Sequence, residues 1–394
     1  MKFGNFLLGG AAGFSVGYVA LRTWEALVVA GRPTIAAHDA KTYGRLRRAL
    51  TATGTVRSIL GTVGIAYSPL TPLMVSATSN LPRWSRAGVC AAAAVLVSSA
   101  LEIGVEFVDE YEVERRYGLT NQSPRSWLAD YVKTTALSTV VTGALAIGGA
   151  AAIRRFPKSW PWIASAAFLP LVIAANVLVP IFVLPLFNTF EPLQGPLEQR
   201  LRALAARYGV GEAEILRMDM SRQTKKANAF VVGLGSTHRI VLGDTLVEAF
   251  PEDEIHFVVA HELGHYVHRD TWRMVAIAEA GAVVLLTVAA TAVPDDGSDD
   301  SGTVRLLRAY ALLGAGMLAI RPALLAFSRS REWAADRFAI AATNDSEAGA
   351  AAFRRLRDQN LAEEEVPGWY EHFFSSHPSL GKRIEALAPS ANSR

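Results

Sequence analysis

The sequence is poor in cysteine and in charged residues. Its 394 residues include one cysteine, Cys90, within an alanine- and valine-rich run. A single cysteine excludes an internal disulfide framework and a zinc cluster built from cysteines, and its simplest interpretation is a small buried apolar residue. Only 19% of the residues are charged and 51% are hydrophobic, whereas soluble domains usually carry about a quarter charged residues. Membrane insertion is therefore the first hypothesis.

The sequence also lacks a strong excess of one charge. Its formal net charge is +3. This mild basic excess suits contact with anionic lipid headgroups, but it falls short of the footprint of a nucleic-acid-binding protein. We expect a lipid bilayer as a partner and no nucleic acid.

Charge-poor runs predict the membrane spans, because about 20 apolar residues cross a bilayer as a helix. A cleavable signal peptide is the alternative for the first run, which is glycine-rich and lacks a clear cleavage site. We predict a mainly α, polytopic seven-helix membrane protein. The seven runs are 4–21, 58–82, 87–108, 134–153, 159–190, 274–293 and 306–327.

The remaining polar sequence predicts one domain in two parts. An N-terminal membrane region with five helices covers 1–190, and a polar block follows at 191–270. A transmembrane hairpin at 271–327 returns the chain to the same side, where the block 328–394 joins the first. Local patterns in the first block predict a small β-sheet between two helices. The predicted helices are 195–208 and 252–269, and the predicted strands are 214–218, 228–233 and 239–242.

The distribution of basic residues predicts the orientation. The loop 31–54 and both polar blocks are rich in Lys and Arg, whereas 294–302 has four Asp and neither. With seven spans, this bias predicts an outside N-terminus and cytoplasmic polar blocks in a multi-pass plasma-membrane protein. The basic residues 154, 155 and 158 would then lie outside, which the rule disfavours.

The stretch HELGHYVHRD, residues 261–270, carries metal chemistry. His261 and His265 lie one helical turn apart, so both imidazoles can bind one ion. Glu262 stands beside them, placed to accept a proton from an attacking water. The alternative is a polar helix with two surface histidines.

Catalytic zinc needs a third protein ligand and one open position. Glu332 follows the last span directly, where the hairpin returns the chain. Asp336 lies one turn further on the same helix face and could brace a ligating histidine. The alternatives are a surface glutamate and an aspartate paired with Arg331 or Arg337, and spacing does not separate them.

Three motifs together resemble the type I CAAX prenyl protease family of integral-membrane zinc metallopeptidases. They are HELGH at 261–265, EWAAD at 332–336 and SSHPSLGKRIEAL at 375–387. Further similar segments lie at 113–133, 184–194 and 227–248, so the resemblance covers most of the chain from about residue 100.

The resemblance implies a membrane zinc metalloendopeptidase with a zincin-like domain and one Zn²⁺ ion. Its implied zinc ligands are His261, His265 and Glu332, with Asp336 bracing a ligand and Glu262 as general base. Implied substrate contacts are Asn228, Ala229 and Phe230, where the peptide would lie as an added strand along 228–232. His377 and Arg383 would approach the cleaved bond, His377 stabilising the oxyanion. The substrate would be a peptide or protein, and lipid modification or membrane association is left open.

The chain departs from the family pattern at several positions. Tyr266 stands where tryptophan is usual, Asp270 where histidine is common, and Lys225 and Lys226 where histidine and serine are frequent. The lysine pair puts local substrate contacts in doubt.

Other functions remain as alternatives. Heat-shock-type membrane metallopeptidases share the zinc motifs but usually have about four spans. Site-2-protease-type enzymes carry a downstream L-D-G, and none follows here. A seven-span transporter or channel would also carry charges within its spans. Four such charges, Glu102, Glu106, Glu279 and Arg321, either line a hydrated chamber or form interhelical ion pairs.

Overall fold

A computed structural model describes residues 39–233, 237–295, 297 and 300–388. The predicted span 4–21 lies outside these residues. Within them the chain is mainly helical, with one small sheet. The membrane-side helices are α1 Ala40–Tyr67, α2 Leu70–Ala77, α3 Arg83–Glu106, α4 Val113–Arg116, α5 Pro124–Arg155 and α6 Trp160–Leu178. The later elements are β1 Phe190–Pro192, α7 Pro196–Arg207, β2 Glu214–Met218, β3 Ala229–Val232, β4 Arg239–Gly243, α8 Asp244–Ala249, α9 Glu252–Val267, α10 Asp270–Ala292, α11 Ser301–Thr343, α12 Ser346–Gln359, α13 Gly368–Phe374 and α14 Leu380–Leu387.

Five described helices are long and apolar enough to cross a membrane. A sixth span results if α1 and α2, which meet at 56°, count together. The predicted span 58–82 is thus the end of α1 plus α2, broken before Leu70 because Pro69 cannot donate the next helical hydrogen bond. The described residues support a multi-pass membrane protein with five or six spans, and they do not confirm seven.

Helix α11 joins the membrane to the polar region without a break. Its 43 residues correspond to about 64 Å at 1.5 Å per residue, roughly twice the hydrocarbon thickness of a bilayer. The predicted boundary between 327 and 328 falls inside this helix. Glu332 and Asp336 therefore stand on a rigid extension of the last span.

The sheet has the strand order β1-β2-β4-β3. Strand β2 pairs parallel to β4, and β1 and β3 are antiparallel to their neighbours. The predicted strands correspond to β2, β3 and β4, whereas β1 was not predicted. Among the described strands β3 pairs with β4 alone, so it forms an edge of the sheet. The main apolar core lies between this sheet and helices α7, α9 and α12, around Leu201, Leu242 and Phe257.

Candidate active site

Helix α9 brings the two histidines to the site. It begins after Pro251 with three acidic residues, 252–254, which suit the positive end of the helix dipole. Its apolar face is fully buried at Phe257 and Leu263. Gly264 permits close contact with α11, because an added Cβ there would lie 3.1 Å from the Ala335 Cα. This close approach brings Glu332 to the histidine pair.

Three side chains converge as a possible metal site. The Nε2 atoms of His261 and His265 lie 3.3 Å apart. Glu332 Oε2 is 3.4 Å from His261 Nε2, and Glu332 Oε1 is 3.3 Å from His265 Nε2. Two imidazoles and one carboxylate are a donor set of catalytic zinc sites that leave one position open. Within the described residues Glu332 Oε2 is buried, and its contacts with Arg383 and His261 are longer than ordinary hydrogen bonds, at 3.3 and 3.4 Å, so these residues fit a divalent metal.

Asp336 contacts His261 at Nδ1, whereas Glu332 contacts the other ring nitrogen of His261. Asp336 Oδ1 lies 2.8 Å from His261 Nδ1, the arrangement that fixes the orientation of a metal-binding imidazole. Arg383 donates to both oxygens of Asp336, at 2.6 and 2.9 Å. The Arg383 guanidinium also lies 4.1 Å from the centre of the Phe353 ring and 3.3 Å from Glu332 Oε2. Arg383 is thus buried within the site, where it contacts the carboxylates of Asp336 and Glu332.

The second histidine has its own carboxylate, which sequence reasoning missed. Asp270 Oδ2 lies 3.0 Å from His265 Nδ1. Arg269 adopts a left-handed backbone, with φ at 55°, and the chain turns there from α9 into α10. This turn directs Asp270, the first residue of α10, back towards His265. An acidic residue five positions after the second histidine was the available signal.

His377 and Glu262 lie at the same cavity. His377 Nε2 is 3.2 Å from Glu332 Oε1, yet 60% of the His377 side chain is exposed. Glu262 is half-buried beside the histidines. Both residues line a cavity of about 720 Å³ together with His261, His265 and Glu332. The cavity is large enough for a peptide segment to reach these groups.

Burial and hydrogen bonds shift the proton affinities here. Burial lowers the pKa of His261, but hydrogen bonds to Asp336 and Glu332 outweigh it and raise that pKa to about 9. Burial raises the pKa of the Glu262 carboxyl above its ordinary value, against the lowering effect of His261 and His265. Glu262 therefore holds a proton more tightly than a surface carboxylate does.

The three predicted substrate residues divide between two faces. Asn228 and Ala229 line the cavity. Phe230 packs instead against Leu216 and Val241 on the other side of the sheet. The Phe230 side chain therefore lies on the face away from the cavity, and its backbone pairs with Val241 of β4.

The lysine that departs from the family pattern joins the strand segment to the membrane helices. Lys226 Nζ lies 2.8 Å from Glu114 Oε2 and 2.8 Å from the Tyr43 hydroxyl. Lys226 thus has a structural contact on the membrane side, two residues before Asn228.

The charges in the predicted spans have different surroundings. Glu102 pairs with Arg57 at 3.0 Å, which is the interhelical ion-pair alternative. Glu106 lines a second cavity of about 370 Å³. Glu279 Oε2 is buried, and no described residue gives it a hydrogen bond. Arg321 lies 5.0 Å from the centre of the Phe374 ring.

Comparison with known proteins identifies the family. The model of peptidase family M48 matches residues 192–391, which include His261, His265 and Glu332. The chain belongs to this family. A second model, the CAAX prenyl protease N-terminal region with five membrane helices, matches residues 35–189. M48 peptidases depend on a metal, so the chain is a membrane metalloendopeptidase, and the transporter alternative is wrong.

Individual relatives agree with the family assignment. The chain is 29% identical to the uncharacterized metalloprotease YhfN of Bacillus subtilis, over 74% of this chain and 70% of that protein. It is 24% identical to CAAX prenyl protease 1 of Saccharomyces cerevisiae, over 74% and 69%. The crystal structure of S. mikatae Ste24p has the same fold, with a TM-score of 0.81, 20% identity and coverage of 96% of this chain and 99% of that one. Protease HtpX of Glaesserella parasuis matches over 41% of this chain, which favours the CAAX-type over the heat-shock-type enzymes.

Proposed function

We propose that this M48 peptidase uses one zinc ion, bound by His261, His265 and Glu332, to hydrolyse peptide bonds in membrane-associated substrates. The convergence of these three side chains within 4.8 Å is the observation that carries the proposal. Zinc is favoured because nitrogen and oxygen donors with an open fourth position suit it. When bound, zinc supplies a Lewis acid that polarises the substrate carbonyl and acidifies water.

The residues around the ion divide the remaining work. Glu262 takes a proton from the attacking water and delivers it to the leaving amine. His377, exposed at the cavity beside Glu332, donates a hydrogen bond to the oxyanion. Asp336 holds the His261 ring, and Arg383 holds Asp336 while compensating the charge of the two carboxylates.

The substrate lies as an added strand beside β3. Strand β3 is a sheet edge at the cavity, and Asn228 and Ala229 stand at its near end. Backbone hydrogen bonds to such an edge bind a peptide largely independently of its side chains. Relatives named CAAX prenyl protease 1 support a lipid-modified substrate, and quality control of membrane proteins is the second candidate because HtpX-named relatives share the peptidase region.

The topology proposed is seven spans in the plasma membrane. Support comes from five apolar helices, the bent pair α1–α2 as a sixth span and the run 4–21 as a seventh. The N-terminus would lie outside, and the two-part peptidase domain, 191–270 with 328–394, would face the cytoplasm. Cysteine labelling of the loop 294–302 in intact cells tests this orientation, since only an outside loop reacts with an impermeant reagent.

We also propose that Glu106 faces a hydrated interior. It lines the second cavity together with the polar side chains of Glu110, Asp130 and Tyr131. A charged side chain at membrane depth costs less free energy in such polar surroundings than in lipid. In a background with Cys90→Ala, Glu106→Cys should react with a water-soluble thiol reagent. Complete protection of that cysteine would contradict the proposal.

The catalytic proposal is tested with Glu262→Gln. Activity should fall by at least about a hundredfold, because general-base catalysis contributes on that order or more, while the variant retains about one zinc per chain by metal analysis. Glu252→Gln, an exposed change on the same helix, is the matched control and should keep full activity. Undiminished, chelator-sensitive cleavage by Glu262→Gln would exclude Glu262 as the base.

A further inference from the structure

Two side-chain amides cover the backbone at one end of the substrate-binding edge. Asn360 Oδ1 accepts a hydrogen bond from the Ala227 amide at 2.9 Å, and its Nδ2 donates to the Ala227 carbonyl at 3.2 Å. Gln359 Nε2 donates to the Lys225 carbonyl at 2.8 Å. The end of α12 therefore binds the backbone groups that a neighbouring strand would bind.

Alternate carbonyls of this segment face the opposite way, towards β4 and α8. The Lys226 carbonyl accepts from the Thr245 hydroxyl at 2.9 Å. The Asn228 carbonyl accepts from the Gly243 amide at 3.0 Å. The segment leading into β3 thus alternates as an extended strand does.

This alternation defines the open part of the edge. Ala227, Ala229 and Val231 direct their backbone groups away from β4. Those of Ala227 are bound by Asn360, and the Ala229 amide donates to Asn228 Oδ1 at 3.0 Å, whereas the Ala229 carbonyl and the Val231 backbone lie on the edge of the sheet. A peptide added beside β3 therefore meets the Asn360 side chain immediately beyond Ala229.

The end of α12 is fixed in place. Leu361 adopts a left-handed backbone with φ at 48° and is 7% exposed. Ala362 N donates to the Arg357 carbonyl at 2.9 Å, which is the helix-ending pattern that glycine usually permits. Leu361 keeps this strained conformation because the apolar residues packed around it hold it in place. Asn360 is thereby presented at a defined position.

We infer that Asn360 is a specificity-determining residue that ends the substrate-binding edge. The inference rests on the proposed peptidase function. Asn360 and Ala227 line the same cavity as His261 and Glu262, so the end of the substrate-binding edge lies close to the bond that is cleaved. A substrate chain that continues past Ala229 on that side must displace the Asn360 amide from Ala227, so Asn360 limits the length of chain that this side of the edge accepts.

The test uses the purified full-length enzyme and a peptide series lengthened one residue at a time, at either end. Wild-type kcat/KM should fall by about tenfold on extension at one end only, as expected from the loss of one or two hydrogen bonds. Asn360→Ala should reduce this penalty, taken as the ratio of kcat/KM between the shortest and the lengthened peptide, to within about threefold. Asn360→Asp keeps the acceptor for the Ala227 amide and should give an intermediate penalty.

Melting temperature and zinc content verify that each variant is folded, and Asn360→Asp carries the test if Asn360→Ala does not fold. Equal tolerance of extension at both ends by the wild type would overturn the inference. So would an Asn360 variant that lowers kcat/KM for all peptides by one common factor, since this indicates only a structural role. If no peptide is cleaved in a metal-dependent manner, the proposed function fails instead.

Discussion

In the peptidase region, Phe257, Leu263 and Leu242 are completely buried, whereas Val140 and Trp162 in the membrane helices expose 69% and 59% of their surface. Water drives apolar side chains inward in the first region, but lipid removes that driving force in the second. The membrane helices use close backbone contacts instead. At Gly88 of α3, for example, an added Cβ would lie 2.9 Å from the Gly143 carbonyl of α5.

Buried charges differ between the regions in the same way. In the peptidase region Glu332 and Asp336 converge with two histidines and Arg383, and the charges remain poised for a metal. In the membrane helices Arg57 and Glu102 bind each other. In this comparison, buried charges gather around the proposed metal site in one region and join two helices in the other.

Removing a proposed metal ligand should have the largest effect of the changes that test this comparison. Glu332→Gln leaves two imidazoles, so we expect loss of bound zinc and a fall in activity of at least about a thousandfold, because metal catalysis contributes several kcal/mol. Metal analysis and a peptide assay measure both effects. Glu254→Gln, a buried carboxylate of the same core paired with Arg355, should lower stability and leave zinc bound. Retention of zinc by Glu332→Gln would show that the third ligand lies elsewhere.

Removing the carboxylates that contact the two histidines should have an intermediate effect on zinc binding. Asp270→Asn and Asp336→Asn each remove a carboxylate that orients an imidazole, so zinc affinity should fall about 10–100-fold. Competition with a chromophoric chelator measures this affinity. Asp358→Asn, a change at a largely exposed side chain, serves as the control. An unchanged affinity in Asp270→Asn would mean that its contact with His265 has no role in metal binding.

Acidification should abolish the activity of the protein while zinc is still bound. Burial raises the pKa of Glu262, and a base must be deprotonated, so activity is complete above that raised pKa and declines as pH falls through it. The acid limb of kcat/KM should lie above the ordinary carboxyl value of 4.5, with a slope of roughly tenfold per pH unit. Zinc content measured at each pH separates this effect from protonation of the histidines. Constant activity down to pH 4.5 with zinc bound would contradict it.

Breaking the membrane ion pair should affect stability and spare catalysis. Arg57→Met or Glu102→Gln alone removes one partner of this buried pair and should cost roughly 3 kcal/mol, whereas the double variant should recover much of this. Thermal unfolding in detergent measures the loss, and kcat/KM should stay within about twofold of wild type. Arg217 and Glu248 form an exposed pair, and its removal should cost less than about 0.5 kcal/mol. Strong loss of kcat/KM without loss of stability would assign Arg57 or Glu102 to the reaction.

Short-range sequence patterns determined much of this protein. Runs of apolar residues predicted α3, α5, α6 and α10, because the length of a membrane span follows from bilayer thickness. The spacing of His261 and His265 predicted one shared helix face, since the period of an α-helix is local. The motifs predicted Glu332 as their partner through the hairpin, a connection visible in the order of the spans.

Only the tertiary structure decided which groups contact the two histidines and which groups border the cavity. Asp270 reaches His265 because the chain reverses at Arg269, and Asn360 reaches Ala227 across 133 positions of sequence. The orientation of the Phe230 side chain away from the cavity also depends on packing against neighbours. Contacts between distant segments leave no period or spacing in the chain, so composition and motifs fix the chemistry, and the packing of α9, α11 and α12 fixes its geometry.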